Sequence, residues 1–151
     1  EVVVEMRERE GARLEVDLRE RVDAIRDALL AAEELAPGRL AKERNRLRRA
    51  VEELTGKGLE EDRLTREIVL IADRWDVSEE LVRARSHLEA FEEFLDRDGE
   101  AVGKRLGFLA IELQREVNTL GAKANDAQIS RLVVEAKNEI DKLREQVENV
   151  E

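Results

Sequence analysis

The stretch "QISRLVVEAKNEIDKLREQVENV", Gln128 to Val150, carries apolar residues at Ile129, Leu132, Ala136, Ile140, Leu143, Val147 and Val150. Those positions alternate in steps of three and four, so they form one stripe along a helix and a coiled-coil-like seam long enough to pack on a partner. A strand would instead alternate every second residue. The remainder of the chain is written in the same period. Leu18, Val22, Ile25, Leu29 and Ala32 predict a long first helix, with Gly11 marking either its start or a bend. The segment "LAPGRL" ends that helix, because the residue before Pro37 is pushed out of helical backbone while Pro37 suits a new first turn. Leu40, Leu47, Val51 and Leu54 give a second helix that stops at "TGKG", and so short a connection predicts that the first two helices form an antiparallel hairpin.

Leu64, Ile68, Ile71 and Trp75 mark a third helix, and Leu81, Leu88, Phe91 and Leu95 a fourth, with Ser78 as its expected N-cap. "DRDGEAVG", from Asp96 to Gly103, is the most loop-like stretch. Leu106, Leu109, Leu113, Val117 and Leu120 then define a fifth helix, with Gly121 near its end. The expected fold is all-α: a long antiparallel helical hairpin over 1–58, followed by a helical bundle over 59–151. That makes about six helices in one domain, and the terminal seam suggests an oligomer.

Composition points the same way and narrows function. Of 151 residues, 42% are charged and only 3% aromatic, with a single Pro, as in long amphipathic helices. The formal net charge of −10 opposes general attraction to polyanions, so an RNA partner would need a local basic patch. With no Tyr and four aromatic residues, any RNA contact is expected to be mainly to backbone and shape rather than by base stacking. The absence of Cys removes disulfide and thiolate chemistry and suits a reducing, cytoplasmic setting. No apolar run approaches the roughly 20 residues that span a bilayer, so no membrane partner is expected. No phosphate-loop glycine pattern or nucleophile elbow is present, and no small-molecule cofactor is implied.

Three groups of polar residues stand out. "RLAKERNRLRR", Arg39 to Arg49, sets six basic residues against one acid, and Arg39, Lys42, Arg46 and Arg49 share one side of the helix. Such a stripe could neutralise phosphates, or pair with acids of a neighbouring helix. On the fifth helix, Glu112, Glu116, Thr119 and Lys123 form a polar strip beside the leucines. Two carboxylates one turn apart could hold a divalent ion, or simply be a solvated flank with ordinary ion pairs. His87, the only histidine, lies at the edge of the fourth helix's apolar stripe and is the natural proton-transfer group if there is chemistry.

Longer motifs extend this reading. "REIVLIADRWDVSEELVRARSHLEAFEEFL", "GKRLGFLAIELQREVNTLGAKAND" and "VVEAKNEIDKLREQVENVE", preceded by "EMREREG" and "LRERVDAI", resemble the C-terminal part of the YicC-like (YicC/YloC) bacterial endoribonuclease family. The resemblance covers essentially the whole chain. It implies a cytoplasmic RNA-cleaving protein that depends on a divalent metal, Mg or Mn, and assembles as a homo-oligomeric hexamer around RNA. It also implies an N-terminal β-containing domain that these residues lack, in keeping with an opening "EVVVEM" that does not begin at Met. By motif, the implied site positions include Asp73, Asp76, Ser78, Glu79, Glu80, Arg83 and His87, then Lys104, Arg105, Glu112, Arg115, Glu116, Asn118, Thr119, Gly121, Lys123 and Asp126. In this reading Glu112, Glu116, Asp73, Asp76, Glu79 and Glu80 hold the metal. His87, Glu112 and Glu116 are catalytic, and Lys104, Arg105, Arg115 and Lys123 join the basic stripe on RNA. The chain departs from the family pattern at Gly107, Ile111, Gln114 and Ala122, where Asp, Gln, Asn and Ser are usual. The alternative is a non-catalytic helical oligomerisation or RNA-clamp module. A bare coiled-coil scaffold would leave the "SHL" and "NTLGAKAND" runs unexplained.

Overall fold

The structure, a computed structural model, describes residues 2–58, 60–97 and 101–149. Among the described residues there are six helices and no strand: α1 (Val2–Leu35), α2 (Gly38–Thr55), α3 (Glu61–Trp75), α4 (Ser78–Leu95), α5 (Val102–Ala122) and α6 (Ala127–Glu148). The all-α expectation holds. The middle of "DRDGEAVG", residues 98–100, and the last seam position, Val150, lie outside the described residues.

Four of the helices close into a bundle in which α1 packs on α6, α6 on α5, α5 on α4 and α4 on α1. Cross-helix pairs set their directions. Arg26–Glu92 and Arg85–Glu33 align α1 against α4, and Arg83–Glu116 aligns α4 against α5. In each pair a higher number on one helix meets a lower one on the other, so neighbours run antiparallel. Their apolar stripes meet in one core that includes Leu18, Val22, Ile25, Leu88, Phe91, Leu113, Val117, Ile140 and Leu143. The α6 seam is therefore buried within the chain, with Ile129, Val133, Ala136, Ile140, Leu143 and Val147 all inside. Where α5 and α6 draw together, Gly121 lies within α5, and a Cβ there would stand 3.0 Å from Val133 Cγ1. This glycine serves close packing rather than helix termination.

The helix pairing differs from the sequence expectation at the start of the chain. Helix α1 packs on α6 and α4, whereas α2 packs on α3. Pro37 explains the difference: its own backbone is helical, at φ −62° and ψ −32°, so the short break redirects the chain without folding it back along α1. The hairpin is α2–α3 instead, reversed through Gly56, whose left-handed φ of 66° is cheap only for glycine. It carries its own small core, with Leu64 and Ile71 buried outside the main cluster. Arg44 and Arg48 clasp the Glu61 carboxylate across it at 2.8 and 2.9 Å. Helix α1 runs unbroken through Gly11, and residues 2–13 stand exposed beyond the bundle.

Candidate functional site

One end of the bundle gathers the polar motifs. There α1 and α5 finish, α4 and α6 begin, and the α2–α3 hairpin is attached. Helix C-termini leave carbonyls unsatisfied and N-termini leave amides, so this end needs donors and acceptors in quantity. The sequence supplies both. Asp126 caps α6, its carboxylate accepting from the Ile129 amide at 2.9 Å. Asp76 does the same for α4, accepting from the Ser78 amide at 2.9 Å and the Ser78 hydroxyl at 2.6 Å. The N-cap position of α4 is Val77 and not the expected Ser78, with Asp76 reaching the first helical residue from one position farther back, and its two bonds from Ser78 hold the Asp76 carboxyl below the usual aspartate range. Asn125 makes the turn between α5 and α6 with a φ of 46°, a left-handed conformation that Asn tolerates.

Arg39 answers the carbonyls. The sequence pattern puts it on the RNA-facing stripe, yet it is only 6% exposed. Its guanidinium donates to the carbonyls of Lys123 (2.8 Å), Ala124 (3.1 Å), Trp75 (2.9 Å) and Ala36 (3.0 Å). A cation set among the negative ends of α3 and α5 is favourably placed, and a buried guanidinium that makes four carbonyl bonds is committed to the helix ends rather than to phosphate. Burial pushes its pKa down from the ordinary arginine value, against the pull of Asp126 and Asp76.

Beside Arg39 lies a chain of ion pairs on the α4–α5 face. Glu80, 3% exposed, accepts from Lys123 Nζ at 2.7 Å, and the same ammonium reaches the Asp76 carbonyl at 3.3 Å. Burial alone would raise the Glu80 pKa. The hydrogen bond from Lys123, its own backbone amide and the charges of Lys123 and Arg83 outweigh that and leave it lowered. The Lys123 pKa is raised, chiefly by the same bond. Glu80 Oε2 is buried without a hydrogen-bond partner. Arg83 donates to Glu116 at 3.0 Å and Glu79 at 3.2 Å, which raise its pKa in that order. One turn farther along the antiparallel α4–α5 pair, the register sets His87 level with Glu112, both half-buried. Glu112 also meets Arg115, its neighbour on α5, at 3.4 Å.

The six carboxylates expected to hold a metal are not gathered. Glu79, Glu80 and Glu116 are paired with Arg83 or Lys123, Asp76 caps α4, Glu112 faces Arg115, and Asp73 is exposed on α3. Among the described residues no three His, Cys, Asp or Glu side chains stand close enough to hold a metal ion. These side chains therefore form no cage for a divalent cation among the described residues, since each expected carboxylate is exposed singly or committed to a cap or an ion pair.

The rest of the basic stripe behaves as expected of a surface. Lys42 (side chain 77% exposed), Arg46 and Arg49 face solvent on α2. With Asn45, Ala50 and Glu53 they line an open groove of about 350 Å³. Arg46 is tied to Glu43, and Lys42 stands 3.9 Å from Asp126. Lys104 and Arg105 are exposed at the start of α5, at the opposite end of the bundle from Lys123. Sequence reasoning missed two residues with structural reach, Arg39 as a carbonyl clamp and Arg83 as the link between α4 and α5. A buried Arg that caps distant helices leaves no local signature.

No helix among the described residues is long and apolar enough to cross a membrane. Residues 32–151 match the family described as "Endoribonuclease YicC-like, C-terminal". The chain is 34% identical over 149 residues to a "Probable endoribonuclease YicC" of Clostridioides difficile (strain 630), covering 97% of this chain and 50% of that protein. It is 36% identical over 148 residues to a protein of the same description from Haemophilus influenzae (strain ATCC 51907 / DSM 11121 / KW20 / Rd), covering 98% of this chain and 51% of that one. The chain thus spans about half the length of the curated relatives it matches. With the family match running from the end of α1 through α6, this chain belongs to the YicC-like endoribonuclease family, in its C-terminal region.

Proposed function

We propose that this helical region binds RNA through the exposed face of α2 and takes part in cleaving it as an endoribonuclease of the cytoplasm. The observation that carries the reading is the clustering of Lys42, Arg46 and Arg49 on a solvent-facing helix of a chain whose net charge is −10. A basic face that survives in so acidic a protein concentrates attraction for phosphate in one place. Lys104, Arg105 and Arg115 extend the phosphate-binding surface. His87, level with Glu112, supplies proton transfer, and Glu116 is held beside them by Arg83. The reading includes the divalent Mg or Mn implied by family resemblance. Among the described residues the carboxylates do not converge, so in this reading the basic side chains bind phosphate and His87 moves a proton. It also includes a homo-oligomer, hexameric by the same resemblance. The α6 seam is already used inside the chain, so contact between copies would fall to exposed apolar groups such as Val2, Val3, Met6, Phe108 and Ile111.

Cleavage kinetics test the reading. Replacing Lys42, Arg46 and Arg49 together by Gln should raise KM for RNA while leaving kcat near its original value, since phosphate contacts of this kind bind ground and transition states alike. His87→Asn should lower kcat by about 10²-fold with little change in KM. If both variants cut RNA with the parental parameters, the reading fails. If RNA is bound but never cut, with or without Mg or Mn, the second reading stands: a helical RNA clamp without chemistry, which the dispersal of the carboxylates favours.

A further inference from the structure

The α2–α3 hairpin is joined to the bundle in an unusual way. It adds nothing to the shared core: its buried apolar residues, Leu64 and Ile71, lie outside that cluster, and the only buried residue of α2 is Arg39. Neither helix packs along a helix of the bundle. Both of its connections, Ala36–Pro37 and Asp76–Val77, lie at the same end, so the hairpin projects from a two-point root. At that root a single guanidinium bridges all the parts. Arg39 binds Ala36 and Trp75, where the hairpin begins and ends, and also Lys123 and Ala124 at the end of α5. Next to it is an open cleft of about 480 Å³, lined by Leu40, Trp75, Leu81 and Val82 among others and spanned at its edge by the Arg85–Glu33 pair.

We propose that α2–α3 is a jointed arm that swings as a unit against the four-helix bundle, with the buried Arg39 as the pin that latches it. Regions held by few buried apolar groups open at lower free energy than the core they border, and here the interactions that resist opening are polar and concentrated on one side chain. The cleft beside Trp75 gives the arm room to move. The arm's own packing, through Leu64, Ile71 and the Glu61 clasp, keeps it intact while it moves. The inference does not depend on RNA binding. It does explain how a basic face on α2 could be repositioned without disturbing the bundle.

Amide hydrogen exchange read by mass spectrometry on the full chain tests it, comparing the unaltered protein with Arg39→Met, which keeps an unbranched apolar stem and removes the guanidinium donors. In the unaltered protein, peptides from α2 and α3 should exchange faster than those from α5 (Leu106–Val117) and α6 (Val133–Leu143). Arg39→Met should speed exchange in the arm by about tenfold or more, as expected when charged hydrogen bonds are removed, and leave the α5 and α6 peptides unchanged. Fluorescence of Trp75, the only tryptophan, should shift to the red as the cleft opens. Lys42→Gln, which removes only an exposed 3.9 Å pair at the same root, should leave exchange as it was. The proposal is overturned if arm and bundle exchange at one rate in the unaltered protein. It is equally overturned if Arg39→Met accelerates both alike, including by failure to fold, or accelerates neither, or if Lys42→Gln has the same effect as Arg39→Met.

Discussion

Glu80 and Lys123, paired at 2.7 Å, shift in opposite senses on folding. The folded state holds the Glu80 carboxyl below the usual glutamate value of about 4.3, so its contribution is fully present above that pH and is lost as pH falls through the lower folded value. Lys123 has the opposite sign: raised above its ordinary value of about 10.4, it stabilises fully below that pH and fades only in stronger alkali. Glu80→Gln should therefore cost about 1–3 kcal/mol at pH 7 and flatten the acid limb of stability, leaving the alkaline limb changed only through Lys123. Urea unfolding from pH 2.5 to 7 checks this, and an acid limb as steep in the variant as in the parent would contradict it. Such residues are only half legible in the sequence. "NTLGAKAND" announces itself as unusual, while the capping role of its Asp126 emerges only with the structure. That its Lys meets Glu80 and its carbonyls meet Arg39 depends on residues 43 to 85 positions away, which no local pattern encodes.

The six helices follow from periodicity, because a three-and-four alternation of apolar residues can bury itself only as a helix. Which helix each stripe meets is a separate question. Stripes on α1 and α2 would suit a mutual hairpin or other partners equally well. The choice is made by Pro37 keeping helical backbone and by the long apolar face of α6 competing for α1. The same reasoning predicts where truncation hurts. Ile140→Ala, in the fully buried seam of α6, should destabilise by about 2–5 kcal/mol, whereas Leu54→Ala, at the exposed end of α2, should change stability by less than about 0.5 kcal/mol. Denaturant titration of both variants decides it. Equal effects would mean that the α6 seam is not the core helix described above.

At the scale of the molecule, an acidic four-helix bundle carries a basic hairpin on one end. The charge-rich composition becomes intelligible once the ion pairs between helices are placed: Arg21–Glu139, Arg26–Glu92 and Arg83–Glu116 use up charge that the sequence presents as undifferentiated. On α2 the exposed Lys42, Arg46 and Arg49 face solvent together, with Arg46 tied to its neighbour Glu43. Family membership is readable from ordered motifs, while the separation of the expected metal ligands requires three dimensions, since several of them answer to Arg83, Lys123 or Arg115 instead of to one another. The central claim, that α2 meets RNA phosphate, is tested most directly by the salt dependence of RNA affinity. Replacing Lys42, Arg46 and Arg49 by Gln should reduce the slope of log K against log salt by about one unit for each phosphate no longer neutralised, about three in all. A slope identical to that of the unaltered protein, with the fold intact, would contradict the account and place the RNA elsewhere.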